Sequence, residues 1–279
     1  MPNPPLPIRH HYVPRFILKG FAEPERCLYV WNKADGSILI STPKKIFVEP
    51  HLYSSLSNDG LTDVSLERAY SILEGRAGQI VCKIIAGVRM EQMPVLSSSE
   101  RQIWATFFHN QVVRVPEFFQ NLRTSRSFSE FTKSLVPKYE ARCGRKLTGD
   151  EWAELVSPEF QDRVKQNSTV GALRNLGPTV PNLLAKMSLQ VGITVGQSRI
   201  AIGSQPVVGA REGAGLLEAW LPISPSAVVR HVASDISEPL VHLDDGDVEA
   251  INQRMVAQSE MIASGSPEHL LAVCAGVKK

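Results

Sequence analysis

Residues 9–15, Arg-His-His-Tyr-Val-Pro-Arg, set two imidazoles, a phenol and two guanidiniums around one proline. An imidazole exchanges protons near pH 7, and a guanidinium presents a fixed fork of donors to an anion. Together they suit a site for a phosphorylated or otherwise anionic molecule. Adjacent side chains of an extended chain point to opposite faces, so His10 and His11 serve different surfaces unless the backbone bends. Glu67 and Glu74 stand almost two helical turns apart, on one side of a helix and about 10 Å apart along its axis. On helical spacing Phe107, Gln111, Arg114 and Phe118 form one stripe, which places an amide and a guanidinium among aromatic rings. A charge so placed needs an acid, several carbonyls or a bound anion, and Glu67 or Glu74 would supply the acid.

The same residues support three uses. Opened to a cleft, His10 or His11 with Glu67, Glu74, Gln111 and Arg114 would make a hydrolytic centre for a phosphorylated or nucleic-acid substrate. A histidine or glutamate would activate water, Arg114 would carry the developing negative charge, and Arg9, Tyr12 and Arg15 would hold the substrate. Without chemistry, the ring would bind an anionic small molecule or nucleic acid. Closed, it would be an internal salt-bridge network fixing how the N-terminal segment crosses the helices. No spacing selects a metal, and none selects a cofactor.

Other motifs fall short of chemistry. The acidic run at 243–249 lacks the alternating ligands and closing glutamate of a calcium loop, and Asp247 reads as a helix cap or solvated turn residue. The glycines at 192–196 and 209–215 match neither the dinucleotide fingerprint nor a phosphate loop. Trp104, Phe107 and Phe108 read as core, and His231 and His242 as hydrogen-bonded surface residues. Cys27, Cys82, Cys143 and Cys274 contain no C-x-x-C pair, which argues against a zinc knuckle or a disulfide framework and for a reducing, cytoplasmic setting. Thirty Lys plus Arg against 28 Asp plus Glu leave +2 over 279 residues, so no global charge draws the chain to nucleic acid or lipid. No apolar run approaches the roughly 20 residues that cross a bilayer.

These groups need elements to carry them. A hairpin is predicted at 27–42 around Asp35-Gly36, then an extended segment at 46–54. A helix follows from Asp63 to about Val88, capped by Thr62 or Asp63. A second starts at Ser97, where Glu100 completes a capping box, and weakens at Pro116. Shorter amphipathic helices fill 126–168, another covers 179–190, and β-rich segments begin near Gly192. A last long helix runs from Asp247 through about Ser264, with a short helix or a tail after it. Hairpin, helical block, β-rich block and helix in that order make an α+β fold. The whole chain, 1–279, reads as a single domain with a flexible lead at 1–8.

The opening His10-His11-Tyr12-Val13-Pro14-Arg15-Phe16-Ile17-Leu18-Lys19-Gly20-Phe21, the glutamate helix, the Gln111–Arg114 helix and the late Leu221-Pro222-Ile223-Ser224-Pro225 strand resemble, in that order, the bacterial family called domain of unknown function 4238. The resemblance spans most of the chain and implies a fold, because no activity is settled for the family. In one place the chain departs from the family pattern. Where that pattern has an acidic residue in the late turn, this chain has Gln205, or Ser204 if the turn aligns one step differently.

Overall fold

The computed structural model describes residues 8–22, 27–57, 62–119, 126–211, 217–232 and 239–275. The expected lead, apart from Ile8, lies outside them. In order run β1 (Arg9–His11), α1 (Arg15–Phe21), β2 (Leu28–Asn32), β3 (Ile38–Ser41), β4 (Val48–Pro50), β5 (Ser55–Leu56) and β6 (Thr62–Asp63). Then come α2 (Ser65–Arg89), α3 (Ser98–Val113), a 3₁₀ turn (Pro116–Phe119), α4 (Arg126–Cys143), α5 (Gly149–Val156), α6 (Pro158–Arg174) and α7 (Thr179–Lys186). The chain continues through β7 (Ser188–Thr194), β8 (Ile202–Gly203), β9 (Val208–Arg211), β10 (Leu217–Ser224), β11 (Ala227–Val232), β12 (Leu240–Leu243), α8 (Asp245–Gln258), β13 (Met261–Ser264) and α9 (Pro267–Cys274). The fold is α+β. Contacts divide it into a smaller unit, Met1–His10, Pro50–Ala69 and Pro116–Leu176, and a larger one, His11–Glu49, Tyr70–Val115 and Gly177–Lys279.

Two sheets organise the larger unit. The predicted hairpin forms, with β2 and β3 antiparallel from Leu28↔Ser41 to Trp31↔Ile38. Asp35 Oδ1 takes the Ser37 N–H at 2.9 Å, and Gly36 supplies the positive φ of 72° that the turn requires. This hairpin belongs to a sheet ordered β3-β2-β13-β8, and the other sheet is ordered β12-β7-β11-β10-β9. Val248 and Ile251 of α8 pack with Ile200, Trp220, Val228 and Leu243. One turn on, Met255 and Val256 pack with Trp31, Ala201, Val208, Ile262 and Leu270. The helical period of 3.6 thus lets one helix serve both cores.

Several expectations change. Residues 261–264, expected as the end of the last long helix, are strand β13 between β2 and β8. The helix stops at Gln258, and a short apolar run fits a central strand as well as a helix until ladder partners decide. Asp244 caps α8, and Asp247 is the return partner of that capping box. Helix α7 ends at Lys186, so residues 188–190 begin β7. His231 is buried at 3% exposure, not a surface residue, with its ring edge-on to Phe108.

The smaller unit holds the β5–β6 ladder and α4, α5 and α6. Asn167 on α6 takes both backbone groups of Leu56, accepting its N–H at 2.8 Å and donating to its carbonyl at 2.7 Å. Capping boxes start α5 at Thr148 and α3, in the larger unit, at Ser97 as its sequence predicts.

Candidate functional site

The opening segment sends its two histidines different ways, as strand alternation requires. In the smaller unit His10 is fully buried and stacks on Tyr53 with ring centroids 5.6 Å apart. Its Nδ1 accepts the Tyr53 backbone N–H at 2.9 Å, so the ring proton belongs on Nε2. The same unit tightens the chain just beyond. His51 adopts φ 54°, its N–H donates to the Ile8 carbonyl at 2.7 Å, and Gln166 Nε2 gathers the carbonyls of His51, Leu52 and Ser54. Glu67, half-buried, lies in the first turn of α2, where the helix dipole favours an acid.

In the larger unit the next residues meet α2 and α3. Arg114 ends α3, a position where the helix C-terminus favours a cation. Its guanidinium is 1% exposed. Nη1 donates to Glu74 Oε1 at 2.7 Å and Nε to the Tyr12 carbonyl at 2.9 Å. Its Cζ lies 5.3 Å from the ring centroid of Tyr70, one turn before Glu74, close enough for a cation–π contact. The Tyr12 N–H donates in turn to the Phe47 carbonyl at 3.0 Å, and Phe47 is held at φ 49°. A buried phenylalanine in the left-handed region costs about 1–3 kcal/mol, so the surrounding contacts must outweigh it.

His11 hangs on this clasp. Its Nε2 lies 3.2 Å from the Pro43 carbonyl, an acceptor, which makes this nitrogen the donor. Burial, with repulsion from Arg15 and Arg114 added, lowers its pKa to about 4 despite that bond, so the ring is neutral at pH 7. Gln111 is buried, its Nε2 pointing at the Phe107 carbonyl 3.5 Å away. Gln111 Oε1 has no hydrogen-bond partner among the described residues. The open group there is an acceptor, which suits a donor and not an anion.

Of the residues singled out by type and spacing, Tyr12, Glu74 and Arg114 come into direct contact, and His11 feels the charge of Arg114. Arg9 and Arg15 are exposed, and His10 and Glu67 belong to the smaller unit. Phe118 leaves the expected stripe, because α3 ends before Pro116 and the ring is 53% exposed on the 3₁₀ turn. Spacing missed Tyr70, although its place four residues before Glu74 was a readable signal. Phe47 and Gln166 gave none.

The late turn is held elsewhere in the larger unit. Gln205 Nε2 donates to the Gln258 carbonyl at 2.6 Å, while Gln258 Nε2 donates back to the carbonyls of Gln205 and Val207. A Cβ on Gly203 would come within 2.2 Å of Ser259 Oγ, so the turn sits close against the end of α8. An acid at Gln205 would point a carboxylate at a carbonyl. No group of three or more His, Cys, Asp or Glu is placed to hold a metal among the described residues, and no described helix is long and apolar enough to cross a membrane.

A family model described as a protein of unknown function, DUF4238, matches residues 9–268 and so runs through both units. No curated protein and no solved structure matches the chain.

Proposed function

Given that the chain belongs to the DUF4238 family of proteins of unknown function, we propose that it is a non-catalytic binding or structural protein whose Tyr12, Glu74 and Arg114 form an internal network anchoring the N-terminal segment. One observation carries this reading: the Arg114 guanidinium is 1% exposed and engaged by both Glu74 and the Tyr12 carbonyl. Phosphoester hydrolysis needs that fork aimed at the substrate, and here Nη1 and Nε are taken by Glu74 and the Tyr12 carbonyl of the protein's own chain. The cysteines, all free, support a reducing, cytoplasmic setting.

The test separates anchoring from chemistry. Glu74→Ala strands a buried cation and is expected to lower the unfolding free energy in urea by about 3 kcal/mol. Arg114→Met is expected to cost less, because Glu74 is already 23% exposed and can rehydrate. The wild type is expected to leave bis(4-nitrophenyl) phosphate and short oligonucleotides intact, with or without magnesium or manganese. Hydrolysis by the wild type that is lost in Arg114→Lys at unchanged stability would replace this reading with the hydrolase.

A second reading, an anion site beside the anchor, has its own support. His11 is half-buried, Arg15 is exposed, and the charges of Arg15 and Arg114 disfavour its charging. An anion bound there would offset that repulsion. Imidazole NMR shifts followed against pH, with and without phosphate, would then show the His11 pKa rising above about 4; an unchanged titration removes the anion site.

A further inference from the structure

Strand β3 forms one edge of the β3-β2-β13-β8 sheet. Its three apolar side chains are open to solvent, Ile38 at 38%, Leu39 at 61% and Ile40 at 69%. Opposite residues of an antiparallel pair share a face, so Leu39 lies beside Val30, while Ile38 and Ile40 lie beside Trp31 and Tyr29 on the other face. The strand is therefore apolar and exposed on both faces at once. Sheet edges are usually protected by lysine, proline, a bulge or a covering element, and none of the first three interrupts Ile-Leu-Ile-Ser.

The backbone says which groups are available. The Asn32 N–H donates to the Ser37 carbonyl at 2.9 Å, so residue 37 points inward to β2, and by alternation residues 39 and 41 do too. The N–H and C=O groups of Ile38 and Ile40 then point outward. We propose that β3 is a self-pairing seam, at which two copies of this chain join antiparallel about a two-fold axis through Leu39.

Symmetry restricts the register. A two-fold axis perpendicular to a sheet keeps each face on its own side, so paired residue numbers must add to an even sum. With Leu39 at the axis the sum is 78, which sets Leu39 against Leu39 and Ile38 against Ile40. Every outward backbone group then meets its complement, and each apolar side chain meets an apolar one. At either end, the acidic turn at Asp35 of one copy comes up to the exposed Lys44-Lys45 turn of the other. Lys33, two residues before Asp35, is tied back to the carbonyls of Val256 and Ala257 in its own chain. Opposite charge at both ends favours a second copy over an unrelated strand.

Sedimentation of the full chain up to about 1 mM tests this, since a small seam gives a weak, concentration-dependent dimer. Leu39→Lys is expected to weaken association at least about tenfold while leaving the circular dichroism melt unchanged, its side chain being exposed. Asp35→Lys, and separately Lys44→Glu with Lys45→Glu, put like charges at both ends and are expected to weaken self-association. Mixed in equal amounts, these two variants restore opposite charge at both ends and are expected to pair with each other, a rescue that damage to the hairpin would not produce. A chain that stays monomeric throughout, or a dimer that survives Leu39→Lys, overturns the proposal. A dimer lost in Leu39→Lys whose charge-reversed chains show no preference for each other overturns the antiparallel register.

Discussion

Arg114 shows how one residue type constrains its neighbours. A guanidinium stays charged at any pH the protein meets, so burial at the end of α3 obliges the structure to bring it acceptors, and Glu74 and the Tyr12 carbonyl are those acceptors. The need was legible in the stripe of Phe107, Gln111 and Arg114, but the choice of Glu74 was not, because two glutamates share one side of the helix. Histidine solves burial differently, by giving up its charge. Desolvation lowers the pKa of His231 to about 4 from an ordinary 6.5. A histidine kept neutral by the fold adds stability that is full above pH 6.5 and fades as pH falls towards 4. We expect the urea midpoint of the wild type to drop between pH 7 and 4.5, and His231→Phe, which keeps a ring against Phe108, to shrink that drop. An equal drop in both proteins would assign acid sensitivity to other groups.

At the scale of elements, the chain's local signals were strongest where a side chain completes backbone bonds on the spot. The Asp35-Gly36 turn and the Ser97–Glu100 capping box both form as their sequences indicate. Signals were weakest where partners lie far along the chain. Met261–Ser264 has no local feature that forbids helix, and its pairing with β2, more than two hundred residues earlier, makes it a strand. The late turn follows the same logic. Gln205 gives a donor to Gln258 and accepts one from it. Gln205→Glu removes the donor and sets a carboxylate against a carbonyl, so it is expected to cost about 1–3 kcal/mol in urea unfolding. A neutral outcome would mean that the turn tolerates an acid and that the clasp contributes little.

At the scale of the whole molecule, the chain passes between its two compact units five times, after residues 10, 49, 69, 115 and 176. Helix α2 itself makes one of the passages, its first five residues belonging to the smaller unit. Neither unit is a continuous stretch that could be excised with its own ends. We therefore expect single-domain behaviour: one cooperative transition in urea, with tryptophan fluorescence and circular dichroism coincident. Two separated transitions would make the units independent domains. Composition, periodicity and turn chemistry determined the α+β class, the hairpin, the long helices and the short list of polar residues, because these depend on neighbours within a few positions. The tertiary structure decided which acid meets Arg114, that the two histidines part, and that the apolar run Met261–Ser264 joins a sheet opened at residue 28, because burial and long-range pairing depend on what the rest of the chain brings near.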